Sequence, residues 1–215
     1  FTAICLFGFN PNLRAQAVGD YGSAASGNWG TDGTNWIVCV TDGTWDGATP
    51  ASTAPTTNDN VWIRAGHTVT AEATGKVCKN LTIASGPTSG TGGTIISTSA
   101  SGANNITLSG TSLTVQANAT YQLLGTASNF GTAWANVVLD NASTIEFAGT
   151  QNSLSTNTGT LTFGNLIWSA GTLSLAQSAT TVTLVVNGNL TINKTAATAG
   201  KIRAATTNFA STITH

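Results

Sequence analysis

The chain contains no methionine, only 3 cysteines and 4 prolines, and very little charge: 7 Lys and Arg and 8 Asp and Glu among 215 residues. Soluble domains usually carry about 25% charged residues, against 7% here. Nucleic-acid binders need a dense basic patch, and seven scattered cations make none. Disorder through net charge is also excluded, because the formal charge is -1 and 40% of residues are hydrophobic. Good helix formers are scarce, so a helical protein is not expected. No apolar run reaches the roughly 18 residues of a membrane-spanning helix.

What remains is small, uncharged and β-branched. Thr alone numbers 40 and Gly 24. From about residue 61 the chain is a succession of short apolar–polar–apolar runs broken by Gly, Asn and Ser. Examples are Val61-Trp62-Ile63, Leu81-Thr82-Ile83, Leu113-Thr114-Val115 and Ile145-Glu146-Phe147. A two-residue period marks half-buried strands. A degenerate repeat runs through them: Asn80-Leu-Thr-Ile83, Asn105-Ile-Thr-Leu108, Asn165-Leu-Ile-Trp168 and Asn189-Leu-Thr-Ile192. The spacing, about 24 or 25 residues, is that of solenoid coils. The expected fold is all-β: a right-handed parallel β-helix whose inner positions stack Ile, Leu and Val, with Asn ladders at the turns.

Three regions follow. Residues 1–17 open with Phe1-Thr-Ala-Ile-Cys-Leu-Phe-Gly-Phe9 and end Ala15-Gln16-Ala17. This reads as the apolar stretch and cleavage site of a secretory signal peptide, or else as a retained strand able to add to a neighbour's sheet edge. Residues 18–60 are rich in Trp and turns. Thr-Asp-Gly-Thr occurs at 31–34 and 41–44, and Asp-Gly is a strong turn dipeptide. This region is expected to be a hairpin-bearing cap. Residues 61–215 are the coils, and the last of them looks interrupted mid-repeat.

Candidate sites are few. In an exported chain Cys39 and Cys78 form an even pair and favour a disulfide; two buried thiols are the alternative. Trp29, Trp36, Trp45 and Trp62 either close the end of the core or stack on sugars. His67, in Gly66-His67-Thr68, either binds a ligand or bonds to backbone at the cap. Asp32, Asp42 and Asp46 resemble a Ca²⁺ set but are explained by turns. Asp140 and Glu146 resemble a glycosidase pair, though turn and strand positions explain them better. Thr-x-Thr recurs at 68–70, 160–162, 181–183 and 212–214; the uneven spacing argues against one regular ladder. No catalytic group, metal site or cofactor is expected.

The string Tyr21-x-Ser23-x-x-Ser26-Gly27-Asn28-Trp29, then Asp59-Asn60-Val61-Trp62-Ile63-Arg64-Ala65-Gly66-His67-Thr68-Val69-Thr70, then Leu81-Thr82-Ile83, resembles the opening of secreted parallel β-helix surface proteins of Bacteroidota. It is also similar to a G8-type module. The resemblance covers about residues 18–86. It implies export, surface display, and a structural or adhesive role without catalysis. Partners would be further coils or other copies end to end, and surface glycans. A self-assembling filament and a carbohydrate-binding or polysaccharide-processing β-helix remain as alternatives.

Overall fold

In a computed structural model, the described residues are 15–72, 75–98, 106–125, 128–130, 134, 136–154, 159–175, 182–192, 202–204 and 211–214. They form an all-β solenoid of parallel stacked coils. The cap comes first: β1 (Tyr21–Ser23), β2 (Gly27–Asn28), β3 (Trp36–Val38) and β4 (Thr49–Pro50). The coils begin with β5 (Asn60–Ile63), β6 (Thr68–Ala71), β7 (Lys76–Ile83) and β8 (Thr94–Ser97). They continue with β9 (Ile106–Val115), β10 (Thr120–Leu123), β11 (Ser128–Phe130) and β12 (Asn136–Leu139). Next are β13 (Thr144–Phe147), β14 (Gln151–Leu154), β15 (Gly159–Phe163), β16 (Asn165–Trp168) and β17 (Thr172–Leu175). The last are β18 (Val182–Val186), β19 (Leu190–Ile192), β20 (Ile202–Ala204) and β21 (Ser211–Thr214).

Strands stack by face. The first face runs β4-β3-β1-β5-β7-β9-β12 and the second β2-β6-β8-β10-β13-β16-β19. Shorter ladders join β11-β14-β17-β20 and β15-β18-β21. Pairing from β5 onward is parallel throughout. The cap alone is antiparallel, where β3 pairs with β1 and β4. β1 and β2 already lie parallel on β5 and β6, so the hairpin is continuous with the first coil.

Alternation of apolar and polar residues becomes inside and outside. On the second face Val69, Ile95, Tyr121, Ile145 and Leu166 align in one buried column. On the first face Val61, Leu81 and Leu113 do the same, beside Ile63, Ile83 and Val115. Each such side chain contributes about 1.5–3 kcal/mol by leaving water. Farther along, the interior is aromatic: Phe130 packs edge-on to Tyr121, Trp134 and Phe147 at ring separations of 5.8, 5.3 and 6.2 Å.

One register assignment agrees with the sequence reading and one differs. Asn165 and Asn189 do head equivalent strands, and the Asn189 N–H donates to Asn165 Oδ1 at 3.0 Å. Asn80, however, aligns with Asn60 on one side and Ser112 on the other, while Ile106 aligns with Lys76. The repeat had paired Asn80 with Asn105, which lies outside the described residues. β7 and β9 each turn a corner within one strand, with a register shift between Cys78 and Asn80, so sequence similarity there matched two different faces.

Threonine also stacks more regularly than its spacing suggested. Thr68, Thr94, Thr120 and Thr144 form one outward column of the second face, and Thr160, Thr183 and Thr212 align elsewhere. Turns of different length absorb the unequal intervals. The adjoining outward column of the second face is mixed, holding Thr70, Ile96, Gln122 and Glu146.

Tight corners depend on glycine. Gly171 has φ +67°, and a Cβ there would lie 2.2 Å from the carbonyl oxygens of Gly149 and Thr150. Both the left-handed backbone and the neighbouring rung therefore exclude a side chain. Gly171→Ala is expected to destabilise the protein by more than about 1 kcal/mol, read as a lower thermal midpoint by circular dichroism. An unchanged midpoint would show that this corner relaxes freely.

Candidate functional site

The exposed end of the first coil is closed by tryptophan. Trp29 and Trp36 are each 1% exposed and meet edge-on at 4.8 Å, and Trp36 Nε1 donates to the Trp29 carbonyl at 2.9 Å. Buried this deeply, neither ring can stack on a sugar. A charged clamp holds this lid. Lys76 points inward from β7 and is buried, and its Nζ donates to the Gly30 carbonyl at 2.9 Å and pairs with Glu72 at 3.2 Å. Glu72 in turn accepts from the Trp29 and Gly30 N–H groups at 3.2 and 3.3 Å. Partial burial pushes the Glu72 carboxyl upward. Hydrogen bonds from its own backbone, Lys76 and Gly30, with the Lys76 charge, outweigh that and hold it below its ordinary value.

His67 belongs to the same end. Its Nδ1 lies 2.9 Å from Ser23 Oγ, which accepts the Arg64 N–H at 3.0 Å. Ser23 is fully buried. Ser23 of β1 meets the imidazole both through its hydroxyl and through its backbone. Burial, then the nearby Arg64 charge, lower the His67 pKa despite its bond to Ser23. Arg64 also sits over Trp45, 5.7 Å from the ring centroid. Trp45 covers Gly22 on the outside of β1, and a Cβ at Gly22 would lie 2.6 Å from the ring.

The fourth tryptophan opens onto different chemistry. Trp62 points outward from β5 yet is only 4% exposed. Its Nε1 donates at 3.0 Å to Asp20, which also accepts from Asn60 Nδ2 at 2.9 Å and the Ala17 N–H at 3.0 Å. Asn80 Nδ2 continues the relay to Asn60 Oδ1 at 2.9 Å. A groove of ≈ 290 Å³ begins at this point and crosses β5, β7, β9 and β12 on the outside of the first face. Its floor is the aligned column Trp62, Thr82, Thr114 and Val138. One wall is the column Asn60, Asn80, Ser112 and Asn136, and Ala15 and Ala17 close the head.

This relay was missed in the sequence, although Asn60-Val61-Trp62-Ile63 and Asn80-Leu81-Thr82-Ile83 share a pattern. Asp20 stands forty-two residues before Trp62, with no local pattern to link the two. Glu72 and Lys76 carried no signal beyond their spacing.

The remaining sequence candidates fall apart spatially. The proposed Cys39–Cys78 disulfide is corrected: both are free buried thiols. Cys39 directly follows β3, which lies beyond β1, whereas Cys78 lies in β7, on the far side of β5. Three strand spacings of about 4.8 Å separate them, beyond the roughly 7 Å that a bridge spans. Cys39 donates instead to the Thr41 or Thr44 carbonyl, 3.1 and 3.2 Å away. Burial, with the Asp59 charge, pushes the Cys78 thiol far up. Asp32 and Asp42 each accept a backbone N–H of the cap, from Thr34 and Val18, and no metal-holding group of three occurs among the described residues. Asp140 caps its own turn through the Ala142 N–H, while Glu146 stands on the second face, accepting from Gln122 and Ser169. The apolar segment resembling a signal peptide lies outside the described residues, except Ala15–Ala17.

Compared with known proteins, the chain matches no family model, no curated protein and no solved structure.

Two outcomes are expected. Glu72 has a lowered pKa in the folded state, so its contribution is present above its unfolded value of about 4.3 and lost as pH falls through the folded one. His67, also lowered, acts in the same direction, its contribution fading as pH falls below about 6.5. Glu72→Gln should cost about 1 kcal/mol near neutrality and flatten the acid limb of a urea-denaturation series. A parallel acid limb in both proteins would refute the clamp. Alkylation after unfolding without reductant should label Cys39 and Cys78 alike; a peptide joining them would refute the free-thiol assignment.

Proposed function

We propose that this chain is a non-catalytic, extracellular structural and adhesive β-solenoid segment of a cell-surface protein, of the kind its opening residues resemble. The observation that carries the reading is the outward surface of the coils. In-register columns of Thr, Asn and Ser hydrate it almost without charge, while parallel ladders run the length of the stack. Such a body resists unfolding locally, because its interior rungs are hydrogen-bonded on both sides. It suits a stalk or spacer that projects other groups from a surface. The polar residues that suggested catalysis each serve a turn, a strand or the cap.

Antibodies raised against the folded coils test the address. They are expected to label intact source cells without permeabilisation. Labelling that appears only after permeabilisation would sink the extracellular reading.

A further inference from the structure

We infer that the groove on the first face is a binding site for an uncharged, extended glycan. The inference deepens the adhesive part of the proposed function and rests on it for biological meaning.

The chemistry of the lining selects the ligand. Beside the amides of Asn60, Asn80 and Gln116, the groove presents the hydroxyl and amide groups of Ser112, Thr82, Thr114 and Asn136. Among the described residues, these four side chains make no hydrogen bond to protein. An apolar occupant would strand them, at about 1–3 kcal/mol for each group left unpaired. An extended peptide gains most from a sheet edge, where it finds main-chain partners. Here the groove lies on the flat of the sheet, whose backbone groups are spent in the ladders. A charged polymer finds no counter-charge, because the one carboxylate present, Asp20, is buried and takes three donors. A polyol matches every group: each hydroxyl both donates and accepts.

Geometry agrees. Hydrogen-bonding groups recur at the rung spacing of about 4.8 Å, close to the advance of one sugar ring along an extended chain. The four strands span about 14 Å, room for two or three rings. Val138 offers an apolar surface for ring C–H groups at the far end. Trp62, only 4% exposed and tied to Asp20, takes no part in stacking; it starts the floor at the head that Ala15 and Ala17 close, which sets where the chain must stop.

The experiment is isothermal titration of the full chain with unsubstituted tetrasaccharides of glucose, mannose and xylose, and with tetragalacturonate. At least one neutral tetrasaccharide is expected to bind, with affinity insensitive to salt between low and physiological ionic strength. Thr114→Arg, which fills the floor, should weaken it at least roughly tenfold (about 1.4 kcal/mol). Thr120→Arg, on the second face, should leave it unchanged. Asn136→Ala supplies a second groove variant should Thr114→Arg fail to fold by circular dichroism. No binding to any neutral tetrasaccharide overturns the inference, as does wild-type affinity in a folded groove variant or a preference for tetragalacturonate. Failure here leaves surface labelling of cells untouched, and failure of that labelling leaves the groove's affinity in solution standing.

Discussion

Among the described residues, the interior rungs find their backbone hydrogen bonds in the rungs before and after them. Main-chain polar groups cannot be left unpaired in a packed interior, so the parallel ladder is the constraint from which the rest follows. It forces inward residues to lie on their own kind, as in the column from Val69 through Ile95, Tyr121 and Ile145. It forces outward residues into columns as well, which turns an irregular scatter of Thr and Asn into aligned surfaces.

A ladder also has a first rung, and the cap answers that problem. The antiparallel β1-β3-β4 hairpin occupies the edge next to β5, so that edge is not left as a template for association. The paired rings of Trp29 and Trp36 cover the apolar interior. Charge is concentrated where this closure needs directional bonds. The Glu72–Lys76 pair reaches across to Trp29 and Gly30, and Asp20 ties its own segment to Asn60 and Trp62 of β5. Along the coils the ladders supply cohesion and hydroxyls supply hydration, so ionic groups are dispensable. Low charge and a regular stack are thus two aspects of one construction.

Much of the fold was legible in the sequence because the two-residue alternation is local. Val61-Trp62-Ile63 or Ile145-Glu146-Phe147 announces its inside and outside without reference to any partner. The turns at Asp32-Gly33 and Asp42-Gly43 likewise marked a cap. Register was not legible. Asn80 resembles Asn105 in its neighbours yet stacks on Asn60, because β7 and β9 pass through a corner that local pattern does not record. Unequal intervals between threonines concealed columns for the same reason: turn length changes the count of residues per coil without changing which positions meet. The site was hidden more completely. Trp62 was visible as a tryptophan, but its role as the head of a groove depends on Asp20, forty-two residues earlier.

By itself, then, the sequence determined the class of structure: strands of period two, scarce charge, glycine-rich turns, and a tryptophan-rich beginning. Only the tertiary structure decided which residues are neighbours. It separated Cys39 from Cys78 by two intervening strands, gave His67 the buried Ser23 hydroxyl as its partner, and gathered Asn60, Asn80, Ser112 and Asn136 into one wall. The reason is that alternation is a property of a single strand, whereas register is a property of strands many residues apart, set jointly by the ladder, the corners and the packing within.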